Sequence, residues 1–115
     1  MKLVVNTDDL KNDIISKKCK LHGTPREDYE DHFECTWPST STDLEIECPD
    51  DDKAVVKKIV DNHYGIIANG KLVSLLYIYD YYYRMSMSNV LFMVGHESTY
   101  AIDLTTFRVK HKYTR

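Results

Sequence analysis

The stretch that decides the fold is residues 66–73, which have the sequence Ile-Ile-Ala-Asn-Gly-Lys-Leu-Val. Both central residues of a type I′ turn need a positive φ, and Asn-Gly is a pair that adopts this conformation readily. Apolar residues flank the pair on both sides, as in two strands joined by a tight turn. The stretch therefore predicts a β-hairpin with its turn at Asn69 and Gly70.

On the C-terminal side of this hairpin, short apolar or alternating segments are separated by turn residues, a pattern typical of an antiparallel meander. The segments are residues 72–83, 90–94, 100–104 and 107–113. In the last of them, arginine and lysine alternate with apolar or ring-bearing residues, as in the charged strands that protect a sheet edge from unwanted pairing. We therefore expect a meander of four strands, which begins with the second strand of the hairpin and ends with a strand at an edge.

On the N-terminal side, the sequence predicts a short strand at residues 3–5 and then a helix. Asn6 and Thr7 are candidate helix caps, Asp8 and Asp9 suit the positive end of the helix dipole, and the helix is expected to end near Lys18. Residues 20–31 are polar and predict a loop. Residues 32–37 and 43–48 then predict two strands of a second hairpin.

A second helix is predicted between this hairpin and the Asn-Gly turn. Pro49 and the three aspartates at 50–52 are typical of a helix N-terminus, residues 55, 56, 59 and 60 form an apolar stripe, and Gly65 is a suitable end. The order β-α-β-β-α followed by a β-meander predicts the α+β fold class. We expect a single domain over residues 1–115, with two helices packed on a mostly antiparallel sheet.

The composition suggests a soluble cytosolic protein. The chain has 115 residues, 43% of them hydrophobic, and no apolar segment as long as a signal peptide or a membrane span requires. Its three cysteines cannot all pair within one chain, which favours free thiols and a reducing compartment.

Charge is distributed unevenly along the chain. Residues 24–52 contain eleven acidic residues and one basic residue, Arg26, although the whole chain has a net charge of only −3. Residues 1–53 carry 7 Lys/Arg against 14 Asp/Glu, whereas residues 54–115 carry 8 against 4. An acidic region of this density predicts association with a positively charged partner.

Alternation at residues 43–47 places three carboxylates on one face of a predicted strand, about 6.5–7 Å apart. Such a row could mimic the charges of DNA, and Trp37 or the tyrosine cluster at 77–83 could provide an apolar anchor. The predicted partner-binding residues are Asp43, Glu45, Glu47, Asp50, Asp51, Asp52, Trp37, Tyr79 and Tyr81.

One arrangement resembles a metal site. Cys19-x-x-His22 is followed by His32-x-x-Cys35, and thiolate and imidazole are the ligands that zinc prefers. Cys48 is a possible substitute ligand. The chain has no Cys-x-x-Cys pair, however, and residues three apart on a predicted strand point to opposite faces. We therefore predict no cofactor and keep zinc as the alternative.

These observations favour a cytosolic protein-binding protein. Its acidic surface is expected to block a basic partner that handles nucleic acid, as an inhibitor; small phage anti-defence proteins and bacterial immunity proteins share its size and acidity. The chain has no nucleophile, metalloenzyme or phosphate-loop motif, so no enzymatic activity is predicted. The alternatives are a zinc-stabilised nucleic-acid-binding module and a small enzyme or ligand-binding domain.

Overall fold

The computed structural model describes residues 2–23, 33–34, 37–48, 55–79, 81–106 and 108–114. In this part of the chain, 59% of the residues are in strands and 12% are helical, and the strands form three sheets. The chain divides into two compact units, Met1–Tyr77 and Ile78–Arg115. The prediction of an α+β fold with two helices on one sheet is therefore wrong, because the described fold is mostly β.

The first unit begins with strand β1 (Lys2–Asn6), helix α1 (Thr7–Ile15) and strand β2 (Lys20–His22). It continues with strands β3 (Asp43–Glu47), β4 (Val55–Val60), β5 (His63–Ala68) and β6 (Lys71–Tyr77). Strands β1 and β3 form an antiparallel two-stranded ribbon. The other four form a sheet of order β2-β6-β5-β4, in which β2 is parallel to β6 and the other pairs are antiparallel.

The Asn-Gly turn and a helix capped at Asn6 are confirmed as predicted, although α1 ends at Ile15 rather than near Lys18. Asn6 is the N-cap of α1, and its side-chain oxygen accepts hydrogen bonds from the backbone amides of Asp8 and Asp9. Asn69 and Gly70 both have positive φ, 54° and 71°, and they join β5 to β6. Both features depend only on neighbouring residues, which is why the sequence revealed them.

The predicted second helix is wrong, because residues 55–60 form strand β4. Val56 and Ile59 are both buried although they are three residues apart, a spacing that resembles a helical stripe. An irregularity in the pairing with β5 between Lys58 and Val60 brings both side chains to the buried side. Pro49 and the aspartates at 50–52 lie outside the described residues.

Gly65 is a residue of β5 rather than the end of a helix. A Cβ atom at this position would come within 2.5 Å of a Leu72 methyl carbon and 3.1 Å of the Ile59 side chain. The absence of a side chain therefore allows these two apolar residues to pack over the strand.

The predicted hairpin of residues 32–37 and 43–48 is also wrong. Phe33 and Glu34 are helical, and the backbone amide of Trp37 donates a hydrogen bond to the carbonyl of Phe33, four residues earlier. This spacing places the two buried rings in an edge-to-face contact, with centroids 5.1 Å apart. Strand β3 pairs with β1 instead, and residues 20–22 of the predicted loop form β2.

The core of the first unit is apolar and combines residues from the ribbon, α1 and the four-stranded sheet. Its buried members are Leu10, Ile14, Cys19, Phe33, Trp37, Ile46, Cys48, Ile59, Ile67 and Leu75. The N-terminus of α1 is tied to this core, since the indole nitrogen of Trp37 donates to the Thr7 carbonyl at 3.0 Å. Thr7 also exchanges hydrogen bonds with Thr42, which connects α1 to the segment before β3.

The second unit is an antiparallel sheet of strands β7 (Tyr83–Met87), β8 (Val90–Val94), β9 (Ser98–Asp103) and β10 (Arg108–Thr114). Its order is β10-β9-β8-β7, which confirms the predicted meander and the edge position of the last strand. The predicted strand at residues 72–83 is instead divided, with β6 ending at Tyr77 and β7 beginning at Tyr83. None of the helices in the described ranges is long and apolar enough to cross a bilayer.

Candidate partner-binding surface

The ribbon of β1 and β3 has one buried face and one exposed face. Leu3, Val5, Leu44 and Ile46 point toward the core of the first unit. Alternate residues point the other way, and we call this side of the ribbon the acidic face. Its members are Lys2, Val4, Asn6, Asp43, Glu45 and Glu47.

The acidic face brings three of the predicted site residues together. The pairing register places Asp43 opposite Asn6, Glu45 opposite Val4, and Glu47 opposite Lys2. The side chains of Glu45 and Glu47 are 67% and 71% exposed. The predicted row of carboxylates along β3 is therefore present and faces solvent.

Lys2 offsets part of this charge. Its ammonium nitrogen lies 3.6 Å from a carboxylate oxygen of Glu45 and 3.9 Å from one of Glu47. Ion pairs between exposed side chains typically stabilise a fold by about 0.2–1 kcal/mol, so these contacts hold the three side chains only loosely. One cation among three carboxylates leaves the acidic face with a net charge of −2.

Asp43 is held more firmly than the two glutamates. The Asn6 amide nitrogen donates to the Asp43 carboxylate at 2.8 Å and to the Ser41 hydroxyl at 2.9 Å. The oxygen of the same amide caps α1. Asn6 therefore connects the helix N-terminus to the end of the carboxylate row.

Val4 is the apolar centre of the acidic face. It is 60% exposed and lies opposite Glu45, between Lys2 and Asn6 along β1. Val4 was not among the predicted site residues. The available signal was that Lys2 and Asn6, two residues before and after it, are polar, because residues two apart on a strand share a face.

A cleft of about 210 Å³ extends the acidic face toward α1. Val4, Asn6, Asp9 and Asp13 contribute to its walls, and Leu72 and Cys19 are among the other residues that line it. Asp9 and Asp13 are four residues apart and so lie on the same side of the helix. Two further carboxylates, outside the acidic run of residues 24–52, therefore border the same surface.

The remaining predicted contact residues that the structure describes are not part of the β1–β3 ribbon. Trp37 is only 7% exposed, and its ring packs edge-to-face against Phe33 and His63, so it serves the core. Tyr79 is exposed and Tyr81 half-buried, and both belong to the second unit. Asp50, Asp51 and Asp52 lie outside the described residues.

The predicted zinc ligands are only partly described. Cys19 and Cys48 are buried and form no disulfide, and His22 is half-buried in β2. His32 and Cys35 lie outside the described ranges. Within those ranges, no three His, Cys, Asp or Glu side chains are grouped as metal ligands would be. The prediction of no cofactor, with zinc as the alternative, is therefore untested.

Burial alters the chemistry of two of these residues. It raises the pKa of the Cys19 thiol to about 11, with a further contribution from the Asp13 carboxylate. Burial also lowers the pKa of His22, and the charge of Lys20 adds to this effect. At neutral pH, Cys19 is therefore a protonated thiol and His22 a neutral imidazole.

In the second unit, a hydrogen bond joins two exposed polar aromatic residues, Tyr82 and His96. The Tyr82 hydroxyl lies 2.8 Å from Nδ1 of His96, and the backbone amide of His96 donates to the Tyr79 carbonyl at 3.1 Å. Neither residue is among the predicted site residues.

Comparison with protein-family models, curated proteins and solved structures finds no match to this chain.

Proposed function

We propose that this chain acts in the cytosol by binding another protein, and that the acidic face docks on a basic surface of that partner. The observation that carries the proposal is the exposed row of Asp43, Glu45 and Glu47 beside the exposed Val4. A basic surface is typical of proteins that handle nucleic acid. Inhibition of such a protein, by occupying the place of phosphates, is the specific form of the proposal.

Each part of the surface has a distinct role in this proposal. The carboxylates accelerate encounter with a cationic partner and set its orientation, so a change in their charge acts on affinity through the association rate. Val4 and the neighbouring cleft at Asp9 and Asp13 offer an apolar contact that excludes water and a recess for a cationic side chain. Charge therefore governs the rate of association, and Val4 and the cleft govern how long the complex lasts.

The test compares two single charge reversals that change the net charge equally. Glu45→Lys alters the acidic face, and Glu97→Lys alters an exposed turn of the second unit. The wild type and both variants are immobilised, and captured proteins from an extract of the source cells are quantified. We expect the main captured protein to be basic and to fall by about tenfold with Glu45→Lys alone, a loss of about 1.4 kcal/mol.

Val4→Ala tests the apolar contact without changing charge. We expect it to increase the dissociation rate of the identified partner with little change in the association rate, measured by surface plasmon resonance. Equal capture by the wild type and Glu45→Lys would contradict the proposal. So would equal losses with Glu45→Lys and Glu97→Lys, because net charge and not the acidic face would then govern binding.

The nucleic-acid-binding alternative is supported by strand β10. Three cationic residues of this strand are exposed, namely Arg108, Lys110 and Lys112. The ring centroids of His111 and Tyr113, on the same strand, are 4.4 Å apart. This alternative predicts binding of a labelled single-stranded oligonucleotide that is lost in Lys110→Glu/Lys112→Glu and unchanged in Glu45→Lys. One zinc per purified chain would support its metal-stabilised form.

A further inference from the structure

The two edges of the second unit's sheet differ in chemistry. Among the described strands, β10 and β7 are the outer ones. Strand β10 carries Arg108, Lys110 and Lys112, and charges of this kind are a usual protection against edge-to-edge pairing. Strand β7 has one charged residue, Arg84, and exposes Met85 and Met87 to 46% and 62%.

The pairing of β7 with β8 determines which main-chain groups of β7 point toward the outer edge of the sheet. A two-residue turn, Ser88-Asn89, closes the β7–β8 hairpin, with Met87 opposite Val90 and Met85 opposite Phe92. In such a hairpin the residues next to the turn exchange both of their main-chain hydrogen bonds, and so does every second pair after them. The main-chain N–H and C=O of Ser86 therefore point away from β8.

We propose that β7 pairs antiparallel with β7 of a second copy of this chain. In the register centred on Met85, that residue faces its own copy, Arg84 faces Ser86, and Tyr83 faces Met87. No like charges are opposed. The same self-pairing centred on Lys110 of β10 would oppose lysine to lysine, which is destabilising.

A second copy fits this edge better than an arbitrary extended segment does. Tyr83, Met85 and Met87 lie on one face of β7, and all three are exposed. Self-pairing places these three side chains beside the same three from the second copy, so that six exposed apolar side chains cover one another. A different segment would need its own apolar residues at the same alternation.

The contact is small, which determines how it is to be measured. Five paired residues extend over about 17 Å and bury less than the roughly 1,200 Å² of a typical stable interface. We therefore expect a reversible dimer that dissociates on dilution. The inference is independent of the proposed function, because the acidic face belongs to the first unit.

Sedimentation velocity on the full chain is the first test, at concentrations from about 5 to about 500 µM. We expect the weight-average mass to rise toward that of a dimer in the wild type and in Ser86→Ala, which keeps the outward N–H. Ser86→Pro removes that N–H without removing a bond to β8, and we expect it to stay monomeric. A wild type that stays monomeric to the highest concentration, or a Ser86→Pro variant that dimerises as well as Ser86→Ala, would overturn the proposal.

Disulfide trapping is the second test, and it does not depend on the proline variant folding. In a Cys35→Ser background, Met85→Cys places two thiols directly opposite each other at the symmetry axis, in a pair close enough for a disulfide. Met87→Cys places each thiol opposite Tyr83 of the second copy. We expect Met85→Cys to cross-link at least about tenfold faster on mild oxidation, because pairing raises the effective thiol concentration. Equal rates would indicate random collision or a different occupant of the edge and would overturn the proposal.

Discussion

Replacement of Asn6 by alanine is expected to weaken the first unit, because one side chain there makes four hydrogen bonds. Its oxygen accepts from the backbone amides of Asp8 and Asp9, at 3.0 and 3.1 Å. Its amide nitrogen donates to Asp43 and Ser41, at 2.8 and 2.9 Å. Alanine removes all four and leaves the first turn of α1 without its cap.

The magnitude follows from the two halves of this network. Loss of an N-cap typically costs about 0.5–2 kcal/mol, and about 1 kcal/mol is usual. The two donated bonds are exposed and add about 0.5 kcal/mol in net terms, near the low end for a hydrogen bond. We therefore expect Asn6→Ala to lower the free energy of unfolding by about 1.5 kcal/mol.

Asn6→Asp separates the contribution of the helix cap from that of the two donated hydrogen bonds. Aspartate caps a helix as well as asparagine does, and its charge suits the helix dipole, but it cannot donate to Asp43. The like charge across the ribbon costs about 0.2–1 kcal/mol. We therefore expect Asn6→Asp to be less destabilising than Asn6→Ala.

The assay is urea unfolding followed by tryptophan fluorescence. Trp37 is the only tryptophan of the chain and is buried in the first unit, so its emission reports on that unit. Asn12→Ala is the matched control, because Asn12 is exposed within α1, where alanine is a better helix former. A loss below about 0.5 kcal/mol for Asn6→Ala, or a larger loss for Asn6→Asp than for Asn6→Ala, would refute the assignment of Asn6 as a cap.

Two further predictions concern the end of α1. Lys17 has a φ of 67°, and the backbone bonds from Lys17 to Ile14 and from Lys18 to Asp13 form the turn that usually ends on glycine. We expect Lys17→Gly to increase the free energy of unfolding by about 0.5–1 kcal/mol, measured by urea unfolding. Lys18→Gly is the control, because Lys18 is not in the left-handed region, and we expect no such gain from it. The second prediction concerns Cys19, because burial raises the pKa of its thiol from 9.0 to about 11. Between these pH values the folded state binds more protons than the unfolded state does. The stability of the folded state therefore falls as pH rises from 9.0 to about 11. The wild type is therefore expected to lose more unfolding free energy than Cys19→Ala between about pH 8 and about pH 10.5 under reducing conditions, and equal losses would contradict the prediction.

Local chemistry made part of the fold predictable. The Asn-Gly turn, the Asn6 cap and the alternation of Asp43, Glu45 and Glu47 each depend on a few adjacent residues, and all three are present. Strand β4 was mispredicted because its pairing irregularity buries Val56 and Ile59, three residues apart. Its four β-branched residues among six were the signal for a strand, and they outweigh the apparent helical stripe.

Long-range pairing made the rest of the site unpredictable. The acidic face exists because β1 pairs with β3, which brings together residues 37 to 45 positions apart, and neither strand specifies the other. The same pairing exposes Val4, and the cleft beside it brings Asp9 and Asp13 of α1 to this surface. The acidic run in the sequence therefore pointed to the surface without showing its apolar centre or its cleft.

The two units carry net charges of opposite sign. Residues 1–77 carry 10 Lys/Arg against 15 Asp/Glu, whereas residues 78–115 carry 5 against 3. In the proposed binding, a cationic partner is thus attracted by the net charge of the first unit and repelled by that of the second, which favours encounter with the first unit. At physiological salt, the influence of exposed charges extends over about 8 Å. In the proposed complex, selection among basic partners therefore depends on contacts at short range, and Val4 and its neighbouring cleft are the features of this face that could make them.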